Sequence, residues 1–293
     1  MYTLSDLASV LATAYGLLFI VIAALILWLV RPWRWKATGL IIVTVAFAYP
    51  LVTAQIEQKK RVARNEMIAE RFKKLCREQA GDKIYRTVEG VEGFLIMRPR
   101  KPTKDLQEYL DQFWMGDPYG HSDLEAENPE YVFLSDRPAF DGASVKISPL
   151  TGYDFIELPL TLSADAVASS YLRIEARKRY VDSHGQQRID YKKATVERPR
   201  SRYGYDWEDI SSDEERKYWI AGGRMRIVDL STQETIAERT GYVIDLEQGA
   251  RAGGGIPWLV AQSNACPPFQ SAHTKAKEFV AKVLKPVREK RHE

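Results

Sequence analysis

Two long stretches without a charged side chain open the sequence. They are residues 7–30 (LASVLATAYGLLFIVIAALILWLV) and residues 37–56 (ATGLIIVTVAFAYPLVTAQI). About twenty helical residues, at ~1.5 Å each, cross the ~30 Å hydrocarbon layer of a bilayer. Each run therefore predicts a spanning helix, and together they predict a two-span transmembrane helical hairpin over residues 1–56. A pair of buried core helices is the alternative, but uncharged runs of this length normally span. No basic n-region and no small-residue cleavage site precede the first cations, which argues against a cleaved signal peptide. Pro50 falls near the far end of the second run, where a break in backbone bonding is tolerated.

The connector supplies the interfacial chemistry. Arg31, Trp33, Arg34, Trp35 and Lys36 lie within six residues. Trp28, Tyr15 and Tyr49 stand toward the ends of the runs, as an aromatic belt requires. These residues make the lipid bilayer the first expected partner. Ala12 and Gly16 form one small-xxx-small pair that can mark helix packing.

After residue 56 the periodicity changes. Residues 57–79 (EQKKRVARNEMIAERFKKLCREQ) contain good helix formers and no Pro or Gly, with Ile68, Phe72 and Leu75 on one face. They predict a stalk helix that stops at Gly81. Residues 80–293 predict a soluble domain in which strand signals dominate. Residues 83–88 and 91–98 read as strands around a Glu89-Gly90 turn. Residues 103–113 have helical spacing, with Leu106, Tyr109, Leu110 and Phe113 on one face. Residues 116–130 read as a long loop, and short strands follow at 131–134 and 153–158. The clearest hairpin pairs 171–181 with 188–196, where Leu172, Ile174 and Ala176 alternate with Arg173, Glu175 and Arg177 and residues 182–185 turn. A second hairpin is expected over residues 225–245. Ser211 to Glu215 carry a Ser-x-x-Glu capping signature for a short helix ending at Gly222-Gly223. An amphipathic helix closes the chain over residues 274–284, with Phe279, Val280, Val283 and Leu284 inward and Pro286 as its stop. The expected fold class is α+β, a mainly antiparallel β domain with peripheral helices.

Charge changes the picture in one respect. The whole chain carries 42 Lys and Arg against 39 Asp and Glu, a formal net charge of +3, so nucleic acid is not favoured as a partner. Residues 1–56 hold only Asp6, Arg31, Arg34 and Lys36, so the charge resides almost wholly in the later part. The positive-inside rule places Arg31, Arg34 and Lys36 in the cytoplasm, with both termini and the soluble domain on the periplasmic side of an inner membrane. The basic cluster Lys59, Lys60, Arg61 and Arg64 counts the other way. Long domains translocate largely regardless of charge, and the first helix usually dominates, which favours the outward reading. The only two cysteines, Cys76 and Cys266, are compatible with one disulfide in an exported domain; two unrelated buried thiols are the alternative.

Chemical motifs are sparse. Residues 251–255 (RAGGG) lack the Gly-Lys-Ser/Thr of a phosphate loop and precede Pro257. The four histidines, His121, His184, His273 and His292, form no zinc-binding spacing, and no cofactor or metal is expected. His121 stands among Asp117, Asp123, Glu125, Glu127 and Glu130, the best metal or acid–base candidate, although its spacing matches no ligand pattern and a solvated acidic loop explains the same cluster. No Gly-x-Ser-x-Gly elbow is present. Arg173, Arg177, Arg179, Lys192 and Lys193 form a possible anionic-partner patch, continued by Arg198, Arg200 and Arg202 and interleaved with Tyr180, Tyr191, Tyr203 and Tyr205. A solvated hairpin face balanced by Glu175, Asp182, Asp190 and Glu197 is the plainer reading.

Cys76 to Gly93 (CREQAGDKIYRTVEGVEG) resembles the start of an uncharacterised family of proteobacterial membrane-anchored proteins. The stretches Asp117-Pro-Tyr-Gly120, Asp209-Ile-Ser211, Trp219-Ile-Ala-Gly222, Glu238-Arg-Thr-Gly-Tyr242, Pro257-Trp258 and Ala265-Cys-Pro267 are similar to the same family, so the resemblance covers most of residues 70–285. It implies an exported domain behind an N-terminal hydrophobic segment, with both cysteines part of the pattern, and no activity. The two-span anchor departs from the single-span arrangement of that family. The expectation is thus a non-enzymatic periplasmic binding or envelope-assembly module. The alternatives are a membrane-tethered hydrolase using the loop around His121, or a cytoplasmic-side binder of an anionic partner through residues 171–202.

Overall fold

The structure, a computed structural model, describes residues 4–103, 105–134, 152–160, 168–181, 187–250, 255–268 and 275–286. The chain forms two compact units, Met1–Ile68 and Ala69–Glu293.

The first unit is helical. Helix α1 spans Leu4–Leu29, and α2 begins at Trp33 and continues to Gln79. The two lie against each other. The Tyr15 hydroxyl donates to the Phe47 carbonyl at 3.0 Å, and the rings of Tyr15 and Phe19 sit 4.8 and 5.4 Å from that of Phe47. Gly39 allows a close approach here, since a Cβ on it would stand 3.1 Å from Ile26 Cγ2. Among the described residues, α2 is long and apolar enough to cross a membrane, and residues 13–29 of α1 add a shorter apolar stretch. Trp28, Trp33 and Trp35 are exposed at the helix junction. Pro50 lies within α2 and does not end it.

The second unit is built on one main sheet and a small second one. Its strands are β1 (Gly81–Ile84), β2 (Val88–Val91), β3 (Gly93–Ile96), β4 (Phe155–Pro159), β5 (Tyr171–Val181), β6 (Gln187–Val196), β7 (Tyr203–Asp209), β8 (Ile220–Asp229), β9 (Glu234–Ile244), β10 (Ala265–Cys266) and β11 (Leu284–Pro286). The helices are α3 (Asp123–Glu127), α4 (Pro129–Leu134), α5 (Asp213–Arg216), α6 (Pro257–Ala261) and α7 (Lys275–Val283), with a 3-10 turn at Leu106–Leu110. The main sheet runs β1-β9-β8-β7-β3-β4-β5-β6, with β10 also on β9; β3 is parallel to β4 and β7, and every other pairing is antiparallel. A small second sheet pairs β11 with β2 in parallel. The architecture is the expected α+β with a mainly antiparallel sheet.

Alternation along the strands decides which face is covered. Tyr205 opposite Ile227, Phe94 opposite Ile156 and Ile174 on β5 all point to one side. Phe279, Val280 and Val283 of α7 and Val132, Phe133 and Leu134 of α4 complete that core, all 4 % exposed or less. A second cluster forms farther along, where Tyr109, Tyr119, Trp219, Ala221, Val243 and Trp258 meet.

Several expectations are corrected. Glu89-Gly90 lies inside β2, because that segment pairs with β11 from the far end of the chain. Among the described residues of 103–113 there is a 3-10 turn capped by Asp105 and no α-helix; Tyr109 is buried, whereas Leu106, Leu110 and Phe113 are exposed. Residues 131–134 are helical within α4, not a strand. Gly222-Gly223 does not stop a helix. Helix α5 has its capping box, Ser212 with Glu215, but ends at Arg216, and both glycines sit in β8. The 182–185 turn, residues 251–254, His184, His273 and His292 lie outside the described residues, as does the side chain of Ala12.

Candidate functional site

Where β8 runs beside β9, Gly223 stands opposite Gly241. Neither has a side chain, and the gap is filled by the loop between the 3-10 turn and α3. A Cβ on Gly223 would strike the Asp117 carboxylate, and one on Gly241 the Tyr119 ring. The loop enters the sheet at this slot because only glycine lets another part of the chain come so close.

Two buried arginines hold the loop. Arg100 donates from Nη2 to Asp117 Oδ2 at 3.2 Å and from Nε to Glu125 Oε1 at 3.3 Å, and its guanidinium lies 4.4 Å from the centre of the Trp207 ring. Arg216 donates from Nη2 to the Gly116 carbonyl at 2.6 Å and to Asp209, and stacks 4.9 Å over Trp258. Asp117 Oδ1 accepts the Gly120 amide at 2.8 Å, which closes the turn. Gln262 reaches the Pro118 carbonyl at 3.1 Å, and Trp258 Nε1 reaches the Asp111 carbonyl at 2.7 Å. The loop is thus tied to α6 as well.

The acidic segment around His121 differs from the solvated loop that its composition suggests. Asp117, His121 and Glu125 are buried. Burial pushes the Glu125 carboxyl up, with the Arg100 charge opposing it. Burial and then the Glu125 charge hold the Tyr205 hydroxyl well above the ordinary phenol range, and Arg100 pulls the other way. His121 is held below its usual value by burial and by the Arg100 charge, although Asp123 works against this. His121 Nε2 lies 3.1 Å from Asp123 Oδ1 and 3.2 Å from Thr103 Oγ1. Thr103 Oγ1 in turn donates to the Tyr109 hydroxyl at 3.1 Å. The imidazole packs edge-on against Trp114, with ring centroids 5.1 Å apart.

This arrangement restricts the chemistry. A hydroxyl–imidazole–carboxylate relay needs the hydroxyl and the carboxylate on opposite ring nitrogens. Here both address Nε2, so a proton there is shared between them rather than passed along. The other carboxylates of the segment do not converge on His121 either. Asp117 and Glu125 serve Arg100, Glu130 accepts Lys193 Nζ at 2.6 Å, and Glu127 is exposed. No group of three or more ligating side chains suited to a metal occurs among the described residues.

Among the described residues of the patch, Arg173 and Lys192 share one face of the sheet and Lys193 lies on the other. Arg173 points to the face away from the core, where its Nε donates at 2.7 Å to Glu157, a fully buried carboxylate. Glu157 also accepts the backbone amides of Arg200 and Ser201, at 3.1 and 3.0 Å. Lys192 stands opposite Glu175 on that face, whereas Lys193, one residue on, reaches Glu130 on the other. Arg177 is exposed, and the Arg179 side chain lies outside the described residues. Tyr203 and Tyr205, read as interleaved surface aromatics, are buried inward-facing residues of β7.

Cys76, near the end of α2, is joined by a disulfide to Cys266 of β10, with Cα atoms 5.6 Å apart. Nearby, the Tyr242 hydroxyl meets Gln79 Oε1 at 2.6 Å, and Arg71 pairs with Glu214 at 2.7 Å. The last turns of α2 are thereby fixed to the sheet.

Sequence reasoning missed Arg100, Trp207, Gly223 and Gly241 as partners of the acidic segment. One local signal was available for α3: Ser122 caps it, accepting the Glu125 amide, in the same Ser-x-x-Glu spacing found at α5. No family model, curated protein or solved structure matches the chain.

Proposed function

We infer that this is an inner-membrane protein of a bacterial envelope whose N-terminal helices cross the bilayer twice and whose sheet domain lies in the periplasm. There it acts without catalysis, as a binding or assembly module for another envelope component. The observation that carries this reading is the Cys76–Cys266 disulfide. Disulfides persist in oxidising compartments and are rare in the bacterial cytosol. The uncharged residues 7–29 of helix α1 extend about 35 Å at ~1.5 Å per residue, a length that supports a second crossing. Arg31, Arg34 and Lys36 at the helix junction then face the cytoplasm, as the positive-inside rule asks. The engagement of Asp117, Glu125 and Glu130 by Arg100 and Lys193 favours binding over hydrolysis.

A reporter fused after Glu293 tests the orientation. A reporter that works only after export should be active, and one that works only in the cytoplasm should be silent. The reverse pattern, or free thiols at Cys76 and Cys266 reached only after the cells are lysed, would overturn the reading. Cross-linking in intact cells should also recover a specific envelope partner.

A further inference from the structure

Among the described residues, the sheet has one long open edge. At one side, short β1 and β10 sit in line along β9. At the other, β6 offers ten residues, and among the described residues nothing pairs with its outer side. The hairpin of β5 and β6 also outruns the sheet. Strand β4 covers β5 only from Tyr171 to Glu175, whereas β5 and β6 stay paired out to Val181 and Gln187. A two-stranded ribbon is marginal by itself and gains from further strands.

Lysines on an edge usually guard it against pairing. Here the edge sequence is mixed: exposed Asp190, then exposed Lys192 on the same face, with half-buried Tyr191 and exposed Lys193 on the other. We propose that β6 pairs antiparallel with β6 of a second copy of this chain, about a two-fold axis at Tyr191, so that Asp190 of each copy faces Lys192 of the other.

The register follows from symmetry. Two identical antiparallel strands in one sheet relate by an axis normal to it, so facing residues share a side and are of equal parity. Over Gln187–Val196, two such registers keep nine rungs, one centred on Tyr191 and one on Lys192. Centring on Lys192 sets that ammonium against its own copy. Centring on Tyr191 creates two Asp190–Lys192 pairs and places Ile189 beside the stem of Lys193. Opposite charges directly across a ladder stabilise it and like charges destabilise it, so the Tyr191 register is selected. The resulting four-stranded ribbon also supports the part of the hairpin that projects beyond β4.

The test uses the full chain in detergent micelles, with sedimentation velocity over a concentration series. The wild type should dimerise. Asp190→Lys alone and Lys192→Asp alone each turn two attractive pairs into two repulsive ones and should weaken association about tenfold. The double variant restores opposite charges in swapped positions and should recover most of that loss. It keeps any cost of setting the carboxylate introduced by Lys192→Asp beside Glu175 within one chain, so recovery cannot be attributed to folding. A photo-crosslinking phenylalanine derivative in place of Tyr191 should join two copies through position 191. A monomeric wild type, equal association of all four proteins, or no rescue by the double variant would overturn the proposal.

Discussion

Gly223 and Gly241 face each other across β8 and β9, and the space between them holds Asp117 and Tyr119. The slot is a tertiary requirement on two residues that are otherwise ordinary strand positions. Substituting Gly223→Ala or Gly241→Ala sets a methyl against the carboxylate or the phenol. Overpacking a close contact of this kind costs about 1–3 kcal/mol. Thermal unfolding of either variant should show that loss, whereas alanine at Gly16, which has open space around it, should leave the domain transition unchanged.

Arg100 is the centre of the buried ion network, and its removal has a predictable asymmetry. Arg100→Leu strands Asp117 and Glu125 as carboxylates without their cation, at a cost of about 3–5 kcal/mol. Neutralising all three together, with Arg100→Leu, Asp117→Asn and Glu125→Gln, removes the uncompensated charge. The triple variant should therefore be more stable than the single one in denaturant titration. A triple variant as unstable as Arg100→Leu would show that packing against Trp207 outweighs the charge pairing.

Much of this fold could be read from local pattern. The period-2 alternation of Leu172, Ile174 and Ala176 located β5, and the amphipathic spacing of Phe279, Val280 and Val283 located α7. The capping residues Ser212 and Glu215 located α5. The candidate site was less legible, because its logic is non-local. Nothing near Asp117 in sequence announces that its partner is Arg100, nor that Gly223 leaves it room. Acidic residues in a turn-rich stretch look solvated, and only the cations contributed from elsewhere make them interior. The same reasoning applies to Arg173, whose surface-like alternation hides a pairing with fully buried Glu157. Tyr205 shows the converse, an aromatic counted with the surface cations that the sheet turns inward.

His121 makes the domain sensitive to mild acid. Burial, reinforced by the Arg100 charge, lowers its folded pKa below the ordinary value of about 6.5. The unfolded chain therefore binds a proton first as pH falls. The stabilisation is fully present above about pH 6.5 and is lost progressively on acidification through the folded value. Melting temperature followed from pH 8 to pH 5 should decline for the wild type. His121→Gln should flatten that decline while leaving any change below pH 5, where carboxylates titrate, in place. Parallel curves for the two proteins would assign the slope to other groups.

Asp229 contributes at the lower end of the pH range. The Ser231 hydroxyl donates to it at 2.6 Å, and Arg202 and Arg86 approach it at 3.2 and 3.1 Å. The Ser231 bond, with Arg202 beside it, lowers the carboxyl to about 2, although burial opposes the shift. The unfolded value is about 3.9, so this stabilisation is complete above that pH and disappears as pH falls through the folded value. Asp229→Asn should unfold more easily at neutral pH yet approach the wild type near pH 2.

The disulfide joins residues 190 positions apart, so its contribution lies largely in the unfolded chain. In the chain-entropy model, closing a loop of that length stabilises the fold by about 5 kcal/mol, with about 2–5 kcal/mol as the usual experience on removal of a native bond. The bond also holds β10, whose pairing with β9 comprises only Ala265 and Cys266, to the last turn of α2. Two consequences can be separated by measurement. The double variant Cys76→Ser, Cys266→Ser should lose global stability to chemical denaturant by that amount. Amide exchange at Tyr242 and Ile244, whose N–H groups face the β10 side, Ile244 bonding the Asn264 carbonyl at 3.1 Å, should accelerate by more than exchange at β7, because a two-residue strand released from its tether loses its pairing before the centre of the sheet opens. Treatment of the wild type with a thiol reductant should reproduce both changes, and the same treatment should have no effect on the serine variant. Uniform acceleration across β7, β8 and β9 would instead mean that the bond acts only through the unfolded state, with no local role at the β10 edge.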